Sequence, residues 1–425
     1  MDPLRRRDRP GGCVMRETLA QYRSFNRPAR MLVVNQFTIN VAFYMLMPYL
    51  AAHLSGTLGL AGWLVGLVLG VRNLSQQGMF LLGGALADRF GYKPLIVAGC
   101  TLRTGGFALL GLVDSLPALI IASCATGFAG ALFNPAVRAY LAADAGERRV
   151  EAFALFNVFY QAGILVGPLV GLALTGLDFR LTCLVAAAVF LGLTIAQVRA
   201  LPTHEATSAD RVSSWRTVLR NQPFLVFSAA MIGSYVLSFQ VYLLLPLHVR
   251  KVTGSELGGT VGVGALFAIS AVVAIAGQVR ITAWCKRNLP PGRCLVLGIG
   301  LMTSAFAVLL GASLLGLDHA GSPVALVPAL LAAAVLTAGT MVGYPFEMDT
   351  IVSLAENRQV ATHYGLYNTI SGIGITVGNL LTGAALDIAE QVGAPYLPWL
   401  ALMLVGAACT LAVHLLDRSH RLQPA

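Results

Sequence analysis

Residues 84–93 read Gly-Ala-Leu-Ala-Asp-Arg-Phe-Gly-Tyr-Lys, which puts one acid, two bases and two glycines into one short segment. Asp88 suits a helix N-terminus, where a carboxylate meets the positive end of the helix dipole. Arg89 and Lys93 suit carboxylates or lipid phosphates. On residue types alone this is a compact charged hinge at a Gly-rich helix end, from Gly84 through Gly91. Glu347 and Asp349, two and four residues after Pro345, form the best titratable pair for proton exchange. A solvated mouth at a helix end is the equal alternative. Arg72 and Arg103 fall inside apolar stretches, where an ionised side chain costs at least about 2.5 kcal/mol. Asn73, Gln76 and Gln77 offer acceptors to Arg72. Either Arg can attract an anionic substrate or respond to protonation of a distant carboxylate. The other reading is a structural anchor bonded to backbone carbonyls, and for Arg103 that reading is preferred.

These groups need elements to carry them, and composition says what kind. The 425 residues are 56% hydrophobic and 11% charged, against roughly 25% charged in ordinary soluble proteins. So few charges cannot coat soluble domains of this length, which argues against a soluble enzyme, a nucleic-acid binder and a disordered chain. The apolar residues number what twelve spans of about 20 residues each would use. Spans are expected at 31–53, 61–86, 94–113, 117–138, 151–175, 180–200, 223–247, 258–283, 294–316, 323–346, 362–386 and 396–416. The expected fold is all-α and polytopic, with a basic tail (1–30), a six-helix bundle (31–200), a polar linker (201–222), a second bundle (223–416) and a short tail (417–425). Residues 1–14 read as disordered, with Met15 a plausible alternative start. In the linker, Trp215, Val218 and Leu219 can form one apolar stripe on the membrane surface, or the segment is a solvated tether.

With that layout 24 Lys and Arg gather on one side, Arg138 among them, and three on the other: Arg180, Arg250 and Lys251. The positive-inside rule then makes both termini cytoplasmic, and the net charge of +10 faces anionic lipid instead of nucleic acid. The seven Cys include no C-x-x-C pair and read as small buried residues, not disulfides or metal ligands. Three landmarks recur in order: Pro48 and Pro246, Pro135 and Pro345, Gly163-x-x-x-Gly167 and Gly374-x-x-x-Gly378. They suggest duplicated halves, an architecture of alternating-access carriers. Only three Lys exist, none followed by Ser or Thr, so no P-loop stands behind ATP drive. No H-E-x-x-H or G-x-S-x-G supports a membrane protease or esterase.

The 84–93 segment resembles the signature loop of the major facilitator superfamily, G-x-L-x-D-R-x-G-R-K, with Tyr92 where the family usually has Arg. The resemblance implies a loop that latches the outward-open state, with Asp88 facing the start of the eleventh helix and Arg89 and Lys93 the inner end of the fourth. Gly163-x-x-x-Gly167-Pro168-x-x-Gly171 resembles the fifth-helix motif of drug:proton antiporters, with Leu172 where a further Gly is typical. It implies a kinked helix whose glycines face the other half and favour exchange; plain packing is the alternative. Leu69-Gly-x-Arg-x-x-x-Gln-Gln-Gly78, with Arg103 and Asp178–Leu181, is similar to the bacterial MdtH-type multidrug exporters. Where related antiporters carry an acid in the first helix, this chain has Asn35, Gln36 and Asn40, so proton coupling shifts to Glu347 and Asp349, with Arg72 as a responder. The superfamily's cavity helices imply further candidates: Tyr44, Gln76, Asn157, Tyr160, Gln161, Tyr235, Gln240, Tyr242, Tyr367, Asn368, Thr369 and Asn379.

The resulting expectation is a monomeric secondary transporter of the bacterial inner membrane, exporting drugs or small amphipathic metabolites in exchange for protons. No cofactor or metal is expected, the proton being the coupling ion. An importer or uniporter of a small anionic metabolite would also fit the two mid-span Arg, and a non-transporting sensor or scaffold is the alternative of another class.

Overall fold

The computed structural model describes residues 10–175, 177–202, 215–317, 325–419 and 422, and among these every regular element is a helix. In order they are α1 (Pro10–Ser24), α2 (Arg27–Tyr44), α3 (Met47–Ala52) running into a π turn (His53–Thr57), α4 (Gly62–Gln77), α5 (Phe80–Phe90), α6 (Tyr92–Leu112), α7 (Leu116–Ala145), α8 (Arg149–Thr175) and α9 (Phe179–Ala200). After residues 203–214 come α10 (Trp215–Val218), α11 (Gln222–Phe239), α12 (Leu244–Thr253), α13 (Glu256–Asn288), α14 (Pro291–Leu314), α15 (Leu326–Leu354), α16 (Val360–Val392) and α17 (Leu397–Arg418). Helix starts are chemically marked. The side chains of Asn26, Asp178, Asn221 and Ser255 accept first-turn backbone N–H groups, and prolines open α2, α7, α11, α14 and α17.

Nine stretches among the described residues are long and apolar enough to cross a membrane. They cover the third to twelfth expected spans, because α7 and α8 merge into one stretch. The protein is an all-α polytopic membrane protein. The first two expected spans are cut into shorter helices: the first at Met45–Leu46 ahead of Pro48, the second at Gly78–Met79. α2 also carries Arg27, Arg30 and three amides. The seventh span breaks at 240–243 into α11 and α12. Several helices outrun their expected ends; α7 continues seven residues past 138 and α15 eight past 346.

Three expectations need correction. Part of the tail read as disordered is helical from Pro10, and Glu17 of α1 bonds Arg280 of α13 at 2.6 Å. Val218 is buried in protein while Leu219 is exposed, so they do not form one membrane-facing stripe; the neighbouring 203–214 lie outside the described residues. Of the six cysteines whose side chains are described five are buried, but Cys124 is exposed.

Helices before residue 201 pack mainly on one another (α6 on α7 and α9, α2 on α8, α4 on α7), as do those after 221 (α14 on α15 and α17, α13 on α15, α11 on α16). The glycine landmarks occupy matching places. Gly163, Gly167 and Gly171 press against Asn40, Tyr44 and Met45 of the first span, while Gly374 and Gly378 press against Ile232 and Val236 of α11. The expectation that the α8 glycines face the other set is therefore corrected: they let α8 approach α2.

Candidate functional site

The charged hinge sits where the two sets of helices meet, at the end of the molecule where the basic loops gather. Asp88, near the end of α5 and 4% exposed, accepts the backbone N–H of Ala361 at 3.1 Å, the N–H of Thr362 at 2.7 Å and the Thr362 hydroxyl at 2.5 Å. Those are first-turn groups of α16, whose N–H groups have no partner within the helix, and the carboxylate meets the positive end of its dipole. The turn before α16 holds Glu356, Asn357 and Gln359 at φ of 50°, 57° and 47°. Non-glycine residues in that region cost about 1 kcal/mol or more each, so neighbouring contacts must hold this turn in place.

Close approach of α5 and α16 depends on glycine from both sides. A Cβ on Gly84 would overlap the carbonyl oxygen of Ala361, and one on Gly365 that of Phe80. Both obstacles are backbone and cannot swing away. Gly84→Val is expected to cut transport more than tenfold without loss of membrane insertion, whereas Gly192→Ala, where no atom lies within 4 Å, should be neutral. Comparing substrate flux per inserted protein for the two variants checks this. Gly91, at φ 93°, makes the turn into α6. Arg89 is exposed, its guanidinium 5.4 Å from the Phe90 ring centre, and Lys93 is half-buried. Among the described residues no ion pair joins either to α7.

More bridges between the sets lie at the same end. Arg149 bonds Asp349 at 2.7 Å and Asn357 at 2.9 Å, Lys286 bonds Glu151 at 2.8 Å, and Asn157 bonds buried Gln278 at 2.7 Å. The half-exposed ion pairs contribute about 0–1 kcal/mol each; the buried amide pair and the Asp88 bonds contribute more. The protein is closed here.

Behind the closure lies a cavity of about 550 Å³, and its charged wall residues are Arg72, Arg103, Arg138 and Glu347. Glu347 is 5% exposed inside α15 and accepts the Tyr367 hydroxyl at 2.8 Å, with Tyr235 beside it and Arg138 within electrostatic reach. It does not pair with Asp349. Two residues along a helix turn the side chain about 200°, so one carboxylate meets the cavity and the other Arg149. Arg138 was expected among the loop bases; α7 instead carries it into the cavity, where it donates to Asn368 Oδ1 at 2.9 Å. One available signal was position: Arg138 follows Pro135 by three residues as Glu347 follows Pro345 by two. Arg103, read as a structural anchor, also reaches the cavity.

Of the candidate residues, Gln36, Asn40, Tyr44, Arg72, Gln76, Asn157, Tyr160, Gln161, Tyr235, Tyr242 and Asn368 line this space. Asn35 is buried off the wall, Gln240 turns its amide to Val236 O and Asn379, and Tyr367 stands behind Glu347. Thr369 donates to Gln77 O between the sets.

A polytopic helical protein with a polar, charge-bearing cavity between two packed sets of helices has the form of a membrane carrier. The sequence matches the Major Facilitator Superfamily over residues 32–379, and the chain belongs to that family. An uncharacterized MFS-type transporter of Mycobacterium tuberculosis is 52% identical over 402 residues, covering 94% of this chain and 95% of that one. Multidrug resistance protein MdtH of Sodalis glossinidius is 29% identical over 416 residues (96% and 97%), and MdtH of Aeromonas hydrophila 30% over 383 (89% and 93%). The protein is therefore a transporter and not an enzyme.

Proposed function

We infer that this transporter exports drugs or small amphipathic metabolites across the bacterial inner membrane in exchange for protons. The basic end faces the cytoplasm with both termini there, by the positive-inside rule, and its bases meet anionic lipid. A monomer rocks its two sets of helices about the cavity, and the small-molecule substrate is exposed to each side in turn. The observation that carries this reading is Glu347, a buried carboxylate on the wall of a cavity that Arg138 of the other set also lines, within electrostatic reach. A group so placed can exchange its proton with one compartment at a time and alter the contact between the sets as it does. The MdtH relatives, named as multidrug resistance proteins, support export of drugs.

The test is efflux from bacteria expressing the chain, using a panel of neutral, anionic and cationic drugs, with and without a protonophore. Efflux should fall at least tenfold when the proton gradient collapses; efflux indifferent to the protonophore overturns proton exchange. Import or uniport of a small anionic metabolite is the second reading, favoured by Asn35, Gln36 and Asn40 replacing any acid in α2 and by the cavity's arginines. Accumulation instead of efflux would establish it.

A further inference from the structure

The cavity wall carries three guanidiniums against one carboxylate. Arg138 is accounted for by Asn368 and the neighbouring Glu347. Arg72 and Arg103 are not. Arg103 is 5% exposed, and among the described residues no side chain or carbonyl accepts a hydrogen bond from it. Its guanidinium lies 5.6 Å from the ring centre of Phe43, 5.9 Å from Phe133 and 5.4 Å from Phe190. Aromatic faces attract a cation but leave its N–H groups unsatisfied. Arg72 bonds only neutral amides, those of Asn73 and Gln76, and its guanidinium lies 5.2 Å from the same Phe43 ring centre. The Nε of each Arg is buried without a partner.

Both arginines thus approach one ring, Phe43, and stand no more than about 11 Å apart, so their charges repel in a setting of low dielectric. Gly130 leaves the room for this: a Cβ there would come within 3.1 Å of Arg103 Nη2 and of the Gln76 amide. Buried guanidiniums are retained where something pairs with them, and this pair has only neutral neighbours in the chain. The open space before them is also lined by Tyr44, Phe80, Phe156 and Tyr160. A cavity of one predominant charge concentrates ions of the opposite sign, and flat apolar walls accept flat apolar bodies.

We propose that the cavity is a binding site for organic anions, in which Arg72 and Arg103 seat a carboxylate or sulfonate while its aromatic body stacks among the aromatic side chains. The proposal names the substrate class of the transport reading above and rests on it only for movement of the bound anion; binding itself needs no proton gradient.

The test is equilibrium dialysis of three radiolabelled probes of one shape against the full chain in phosphatidylcholine nanodiscs: 2-naphthoate, 2-naphthamide and 2-naphthylmethylammonium. Naphthoate is expected to bind at least tenfold tighter than the amide, and the ammonium weakest. Equal affinities, or preference for the ammonium, overturn the proposal. Arg72→Gln and Arg103→Gln should each weaken naphthoate at least tenfold and leave naphthamide unchanged. Equal loss of both probes would assign the arginines to packing and overturn it. If Arg103→Gln does not fold, the probe series on the unaltered chain decides alone. Repeating the dialysis in phosphatidylglycerol discs separates a solute from a lipid headgroup: unchanged naphthoate binding supports a solute site, and competition by the lipid overturns it. A protonophore-insensitive transporter that still prefers naphthoate would fail the proton reading and keep this one.

Discussion

Asp88→Asn is expected to reduce transport at least tenfold in protein that still folds and inserts. Asn keeps one acceptor oxygen but loses the charge and the second acceptor, so at most part of the three-bond contact with Ala361 and Thr362 survives. A charge-assisted hydrogen bond contributes about 1.5–3 kcal/mol, and a carboxylate at a helix N-terminus gains up to about 1 kcal/mol more from the dipole. A change of about 1.4 kcal/mol shifts a two-state balance tenfold, so losing part of this contact suffices to depopulate the form closed at the basic end. The amide is the same size as the carboxylate, so packing against Gly84 and Ala361 should persist. Substrate flux per inserted protein checks the effect, and Asp88→Glu should not restore it, because the added methylene has no space in this glycine-lined crossing.

Glu347→Gln is the second large effect. The variant should lose at least nine-tenths of gradient-driven transport yet keep substrate-for-substrate exchange in vesicles without a gradient. Gln retains an acceptor for Tyr367 and the volume of the side chain, but cannot lose a proton. The groups facing Glu347 are Tyr367, Tyr235, Tyr344 and Arg138, of which Arg138 is the cation and sits on the other set of helices. Ionised, the carboxylate attracts Arg138 across the sets, and protonation removes that attraction. Acidification through the Glu347 titration is therefore expected to weaken this cross-set attraction and favour opening of the basic end.

Some of this was legible in the sequence, and the misses have physical causes. Asp88 could be read because its chemistry is local: an acid after a Gly-rich helix end has few partners other than a helix N-terminus. The helices were legible as long apolar runs, but their ends were not. Membrane helices that continue into protein-covered regions lose hydropathy before they lose helicity, and α7 and α15 both do so. That hid Arg138, which looked like a loop base for want of seven residues. The pairing of Glu347 with Asp349 failed because neighbours in sequence two apart on a helix face different ways. The α8 glycines showed that close packing was needed there but not which helix they meet, since α2 and the opposite set are both candidates until the fold is known. Arg103 read as a structural anchor because nothing local to α6 shows that it lies among Phe43, Phe133 and Phe190 on the cavity wall.

The central claim is that a proton on Glu347 sets the balance between the form closed at the basic end and the form open there. Its most direct measurement needs no substrate: spin labels on Glu147→Cys and Asn288→Cys, exposed positions flanking the closure on the two sets, in a chain whose native cysteines are replaced. Double electron–electron resonance across a pH series should show a short distance at high pH and a growing long-distance population on acidification, with the Glu347→Gln distribution the same at every pH. A distance distribution that ignores pH, or a Glu347→Gln variant that follows the unaltered chain through the same transition, would contradict it.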